Sequence, residues 1–116
     1  MNSYYQQIST VLIKIQAEMQ QQGMWDTVPP SIEDLSSQLP FCYDTLTFSQ
    51  WLQWLFLPKM QTLLAEEAPL PQESNIHAFA EESFKNAEFD KTHLLSLLKM
   101  FDDLITFREQ SGGYLQ

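Results

Sequence analysis

A single cysteine, Cys42, is all that this 116-residue chain offers for cross-linking. No disulfide can form within it, which fits a reducing cytoplasm. Glycine is equally scarce. Gly23, Gly112 and Gly113 are the three present, and they do not form the glycine-rich loop that cradles a phosphate. Positive charge is the third shortage: six cations, Lys14, Lys59, Lys85, Lys91, Lys99 and Arg108, stand against 15 acidic side chains, for a net charge of −9. They are scattered, and no short window is basic. Nucleic-acid affinity draws on several phosphate-neutralising cations on one face, so direct RNA or DNA binding is not expected. Anionic membrane surfaces are disfavoured for the same reason, whereas a basic protein partner is electrostatically favoured. No window holds about 18 consecutive apolar residues, so no transmembrane helix is expected. The opening MNSYYQQIST lacks the basic start, apolar run and small-residue cleavage site of a signal peptide, and the expected location is the cytoplasm.

Catalytic groupings are missing as well. His77 and His93 are the two histidines, and neither lies in HExxH or in a recognisable nucleophile motif. Asp90 and His93 have the spacing of one element of a di-metal bundle site. The inward-facing carboxylates such a site needs are replaced by leucine and phenylalanine, so His93 reads as a helix-start residue and no metal is expected. His77 is expected at the surface. Cys42 has no basic neighbour to favour a thiolate and reads as a small buried hydrophobe. The pairs Glu66-Glu67, Glu81-Glu82 and Asp102-Asp103 are adjacent in sequence. Neighbouring helix residues point apart, so none forms an acid/base dyad, and all three pairs are expected to face solvent or a cationic partner. The chain is not expected to be an enzyme or to carry a cofactor.

What is present is apolar periodicity. At 44% hydrophobic and 18% charged residues the chain is globular rather than disordered, and its length suits one domain that buries roughly two thirds of its unfolded surface. Four segments show the helical period, at about 3–22, 48–67, 76–86 and 91–109. The first carries Ile8, Val11, Leu12, Ile15 and Met19 on one stripe, with Gly23 as a left-handed cap. Pro29-Pro30 stiffens the connection 24–43, where Ser31 caps a short turn through Asp34. Trp25, Leu35, Leu39, Phe41 and Tyr43 are expected to lie against the bundle. Thr47 and Gln50 have capping-box spacing, with Leu46 and Trp51 placed as a staple. Pro58 falls inside the second helix, where it lacks the N–H that the Trp54 carbonyl would accept, so a kink or break is expected. Asn75 or Ser74 is expected to cap the third helix and Asp90 the fourth, and the tail 111–116 is expected to be loose. The fold class is all-α: a four-helix bundle with a long wrapping connection between helices 1 and 2 and a proline kink in helix 2.

The stretch SQWLQWLFLPKM, residues 49–60, concentrates the apolar surface. Between Trp51 and Leu57 only Gln53 is polar, an arc too wide for one neighbour to cover. Core packing accounts for most of it, because aromatics at helical spacing usually mean core. The remainder is expected as an exposed patch around Trp54, Leu57 and Pro58, and such patches mark partner sites.

The run LPFCYDTLTFSQWLQWLFLPKMQTLL, followed by PLP and AEESF, resembles the YqcC-like family of small bacterial proteins. The pattern FxxDTxxFxQWLQW…PKM is carried by Phe41, Asp44, Thr45, Phe48, Gln50, Trp51, Leu52, Gln53 and Trp54, then by Pro58, Lys59 and Met60. Pro69 and Pro71 follow. Where the family would have Ile-x-Pro, this chain has Ile76-His77-Ala78. The resemblance implies a compact helical bundle and a bacterial cytoplasmic protein, often encoded next to a tRNA pseudouridine synthase. It implies no catalytic residue.

These readings converge on a non-enzymatic interaction module, an accessory to that synthase in the reading the resemblance suggests. Its partner-binding residues are expected to be Trp54, Leu57, Pro58, Lys59, Glu66 and Glu67. Phe41, Asp44, Thr45, Thr47, Phe48, Gln50 and Trp51 form the structural motif, with Asp44 and Thr45 bracing the start of the second helix. The alternative is a bundle binding a small molecule or lipid in an aromatic cavity among Trp51, Phe56, Phe84 and Phe101. Oligomeric state is open.

Overall fold

The computed structural model describes residues 3–107. The expected tail 111–116 and the last residues of the fourth helix lie outside that range. Every regular element among the described residues is helical. Helix α1 spans Ser3–Gln21 and α2 is a single turn, Ile32–Leu35. A 3₁₀ turn follows at Pro40–Cys42. The tryptophan-rich stretch is then helical from residue 48 to 65 in three consecutive parts: α3 at Phe48–Trp51, a π-helical segment at Leu52–Phe56, and α4 at Leu57–Ala65. Helices α5, Ile76–Ser83, and α6, Thr92–Thr106, complete the chain.

The core forms where the apolar stripes meet. The stripe Ile8, Val11, Leu12, Ile15 and Met19 of α1 is buried, and α1 packs along both α6 and α4. Helix α6 supplies Leu94, Leu97, Leu98, Phe101 and Ile105, and α5 supplies Ile76 and Ala80 against it. Two tyrosines fasten α1 at its start: the Tyr4 hydroxyl donates to the Leu104 carbonyl at 2.9 Å and Tyr5 to the Ala68 carbonyl at 2.8 Å.

Local signals set most boundaries. Gly23 takes φ +73, and the Gly23 and Met24 N–H groups return to the Gln20 and Met19 carbonyls. That is a Schellman ending, with glycine at the left-handed position. Helix α4 ends in the same pattern, Glu67 N–H to Leu64 and Ala68 N–H to Leu63. Here the left-handed residue is Glu67, φ +51, which has a Cβ to accommodate. The Thr47–Gln50 capping box is complete: the Gln50 N–H donates to Thr47 Oγ1 at 3.1 Å and the Thr47 N–H to Gln50 Oε1 at 2.8 Å. Ser31 caps α2 through the Asp34 N–H at 3.1 Å.

Four features depart from expectation. First, the run 48–65 stays helical through Pro58, and the irregularity expected there falls just before it. The ladder widens to π spacing just before it, with the Leu57 N–H on the Leu52 carbonyl five residues back, and π turns commonly absorb such irregularities. Pro58 then sits in the first turn of α4, where its missing N–H costs least. Second, α5 is capped from a distance. Asn75 makes no capping bond. The Asp102 carboxylate of α6 accepts instead from the Ile76 N–H at 3.0 Å, the His77 N–H at 2.8 Å and the Ser74 hydroxyl at 2.6 Å. Asp102 is thus buried, not solvated, at 6% exposure. At the other end the Lys91 ammonium donates to the Phe84 and Lys85 carbonyls at 2.8 and 3.2 Å, so both poles of the α5 dipole meet a charge of the favourable sign. Third, Leu39 and Tyr43 are exposed, whereas Trp25 and Phe41 do pack on the core. Fourth, Asp90 acts one residue earlier than a standard cap, accepting from the Thr92 N–H at 3.1 Å.

Candidate functional site

The wide apolar arc of the tryptophan helix is divided between core and surface. Phe48, Leu52, Phe56, Leu57 and Met60 are buried, while Trp51, Trp54 and Leu55 stay half-buried. Trp51, Leu55 and Lys59, four residues apart, form one wall of a groove of about 530 Å³. Pro71 and the segment 73–76 line it as well, together with the buried Phe56, Met60 and Phe101 and the half-buried Phe41. The lining is therefore apolar, with Lys59 and Glu73 as its charged members. Both are exposed, and neither makes an ion pair among the described residues. The volume falls in the range of ordinary binding clefts.

Each wall is positioned by bonds that reach across the fold. The Ser74–Ile76 wall is held by α6, through the Asp102 bonds above and through Thr106, whose Oγ1 accepts from the Ser74 N–H at 3.0 Å. The helical wall is pinned by Gln53. Its amide pairs with the Asp26 backbone in both directions, Oε1 with the N–H and Nε2 with the carbonyl, each at 2.8 Å. Gln53 is buried in consequence, a latch on the connection rather than a solvent-facing break in the arc.

The Phe41 part of the lining is the most constrained. Phe41 and Cys42 both take left-handed backbone conformations, φ +57 and +49, which cost a non-glycine residue about 1–2 kcal/mol each. Ring contacts offset that cost. Phe41 meets Phe79 at 4.1 Å, Trp51 at 4.7 Å and Phe48 at 5.9 Å between centroids. Asp44 and Thr45 brace this turn and the connection before it, not the helix start directly. The Ser37 hydroxyl donates to Asp44 Oδ1 at 2.6 Å, and Thr45 Oγ1 donates to the Asp34 carbonyl at 2.6 Å. Cys42 is buried there.

The residues expected to bind a partner separate clearly. Pro58, Lys59, Glu66 and Glu67 are exposed. Trp54 is half-buried, and its indole N–H is buried without an acceptor among the described residues. Leu57 is turned into the core at 1% exposure and offers no contact surface, because helical rotation places it with Leu52 and Met60. Three of the four rings expected to enclose a cavity pack on one another, Trp51 on Phe56 at 5.4 Å and Phe56 on Phe101 at 5.0 Å, while Phe84 packs on Phe48 and Phe89 at 5.7 and 5.3 Å. The space that Trp51, Phe56 and Phe101 border opens outward as the groove. Sequence reasoning missed Leu55 and Phe41 as groove residues; the four-residue step from Trp51 to Lys59 was the available signal for Leu55. Among the described residues no cluster of three or more His, Cys, Asp or Glu side chains is placed to hold a metal, and no helix is long and apolar enough to cross a membrane.

Comparison with known proteins gives a consistent set of relatives. A family model described as tRNA pseudouridine synthase C matches residues 7–104. An uncharacterised protein of Haemophilus influenzae is 38% identical over 99 residues, covering 84% of this chain and 92% of that one. The uncharacterised protein YqcC of Escherichia coli K12 is 27% identical over 90 residues, 78% of this chain and 83% of its own. The solution NMR structure of Escherichia coli YqcC superposes with a TM-score of 0.77 over 90% of each chain at 23% identity, which establishes the shared fold. A protein of Pectobacterium carotovorum named tRNA pseudouridine synthase C is 39% identical over 66 residues. Those residues are 57% of this chain but 18% of that one, so most of the Pectobacterium protein lies outside the likeness.

Proposed function

Because this chain belongs to the YqcC-like family, we propose that it is a non-enzymatic accessory module, cytoplasmic, which docks on a tRNA pseudouridine synthase. Its frame is a four-helix bundle of α1, the run 48–65, α5 and α6, with the connection 24–43 wrapped around it. The observation that carries the reading is the Pectobacterium likeness. There, a stretch similar to this module forms 18% of a chain bearing the synthase name. A module joined covalently to a larger chain in one organism is a natural binding partner of that chain's counterpart in another, since linkage supplies by effective concentration what an interface otherwise supplies by affinity.

The docking face is the groove wall Trp51–Leu55–Lys59 with the adjoining Trp54 and Pro58. Glu66 and Glu67 extend it just past the end of the same helical run. Tryptophan anchors and an apolar centre with charged edges suit a protein interface, and the net charge of −9 favours encounter with a basic surface. The experiment is affinity capture of the purified synthase on this chain, repeated with Trp54→Ala and Lys59→Glu. Capture by the native chain and weaker capture by both variants support the reading. No capture at micromolar concentration overturns it. A small apolar molecule retained in the groove of the purified chain, without synthase capture, would assign the site to a ligand instead.

A further inference from the structure

We propose that the Phe41–Cys42 turn is a gate on the groove, which opens when the two residues leave their left-handed conformations and Phe41 swings off Trp51. The proposal rests on the docking reading for its purpose but not for its physics. Two consecutive non-glycine residues at φ +57 and +49 are held against their own preference. What holds them is Phe41's ring, half-buried and seated between Phe79 at 4.1 Å and Trp51 at 4.7 Å, together with the buried Cys42, whose carbonyl accepts from the Thr45 and Leu46 N–H groups at 3.0 and 2.8 Å. Phe41 is also a lining residue of the groove, so the strained segment and the groove wall are the same residue.

The surroundings favour a two-position element. On its N-terminal side the turn follows Leu39 and Pro40, both exposed. On its C-terminal side the Asp44 and Thr45 bonds to Ser37 and Asp34 fix where the segment re-enters the fold. A short span anchored at its end and strained in the middle changes conformation by local rotation, without displacing the helices. Opening relieves the backbone and uncovers the Trp51 and Phe79 faces. The lost ring contacts and the turn's backbone hydrogen bonds oppose it, and an aromatic or aliphatic side chain entering from a bound partner replaces the ring contacts. Phe41 thus stands in for a partner's side chain until one arrives, and the partner's affinity falls in proportion to how rarely the gate is open.

Cys42→Gly tests the gate without altering the groove lining. Glycine accepts positive φ freely, so the closed form gains and the open population falls about fivefold or more. Relaxation-dispersion NMR on the native chain is expected to show microsecond-to-millisecond exchange at residues 41–43, at Trp51 and at Phe79, and to show it suppressed in Cys42→Gly. Flat profiles in the native chain, or undiminished exchange in Cys42→Gly, overturn the gate. A second arm uses indole as the probe, followed by the amide shifts of Leu55 and Ile76. Phe41→Ala, which removes the ring, is expected to bind indole about fivefold more tightly than the native chain, and equal or weaker binding overturns the gate. Both arms omit the synthase, so a gate that opens in a chain that fails to capture synthase refutes the docking reading alone.

Discussion

Asp102 shows how much one side chain can set. It is a buried carboxylate on α6 that replaces the missing local cap of α5 and fixes one wall of the groove. Its removal leaves three donors unsatisfied, one of them the buried Ile76 N–H, and such losses are costly. Asp102→Ala is expected to destabilise the fold by about 3 kcal/mol. Asn75→Ala, at the position where a local cap would stand, is expected to stay within about 0.5 kcal/mol. Urea denaturation of the two variants checks the contrast. Glu67 is the opposite case, a residue whose backbone works against its side chain. Glu67→Gly removes the left-handed strain and an anion from a helix C-terminus, and is expected to raise stability by about 1 kcal/mol by the same assay. Neither role is visible locally in the sequence. Capping rules look three or four residues along the chain, whereas Asp102 lies 26 residues from Ile76. Left-handed positions are normally announced by glycine, which marks Gly23 and is absent at Phe41, Cys42 and Glu67.

At the scale of elements, the legible features were those whose cause is local. The α1 stripe, the Thr47–Gln50 box and the Ser31 cap follow from spacing alone, and each occurs where the pattern placed it. The widening of the ladder before Pro58 did not follow, because the sequence shows that a proline disturbs a helix but not which neighbours absorb the disturbance. The connection 24–43 was legible as long and partly packed. Its fastening was not, since the Gln53–Asp26 pair and the Asp44 and Thr45 bonds depend on how the segment returns to the fold. That fastening has a measurable consequence. Asp44→Ala is expected to lower hydrogen-exchange protection across residues 39–46 while leaving α1 and α6 unchanged, because segments held by few exposed bonds open independently of the core. Equal loss in α1 would show instead that the connection and the core unfold as one unit.

For the whole molecule, the sequence conveyed a helical protein with more apolar perimeter on one helix than its partners could cover. The fold resolves that surplus into a buried half and the wall of an open groove. Which half was which depended on helix rotation, and Leu57, expected outside, belongs to the core. The proposed docking of a tRNA pseudouridine synthase on this groove can be measured. Calorimetric titration of the synthase into this chain tests it most directly when run with Leu55→Glu, which puts a charge in the groove wall, and with Ile13→Glu, an equally drastic change on α1 at a position already 64% exposed. The account predicts saturable binding by the native chain, kept within about twofold by Ile13→Glu and weakened at least about tenfold by Leu55→Glu, a loss of about 1.4 kcal/mol. Equal binding by the two variants, or no heat from the native chain, would contradict it.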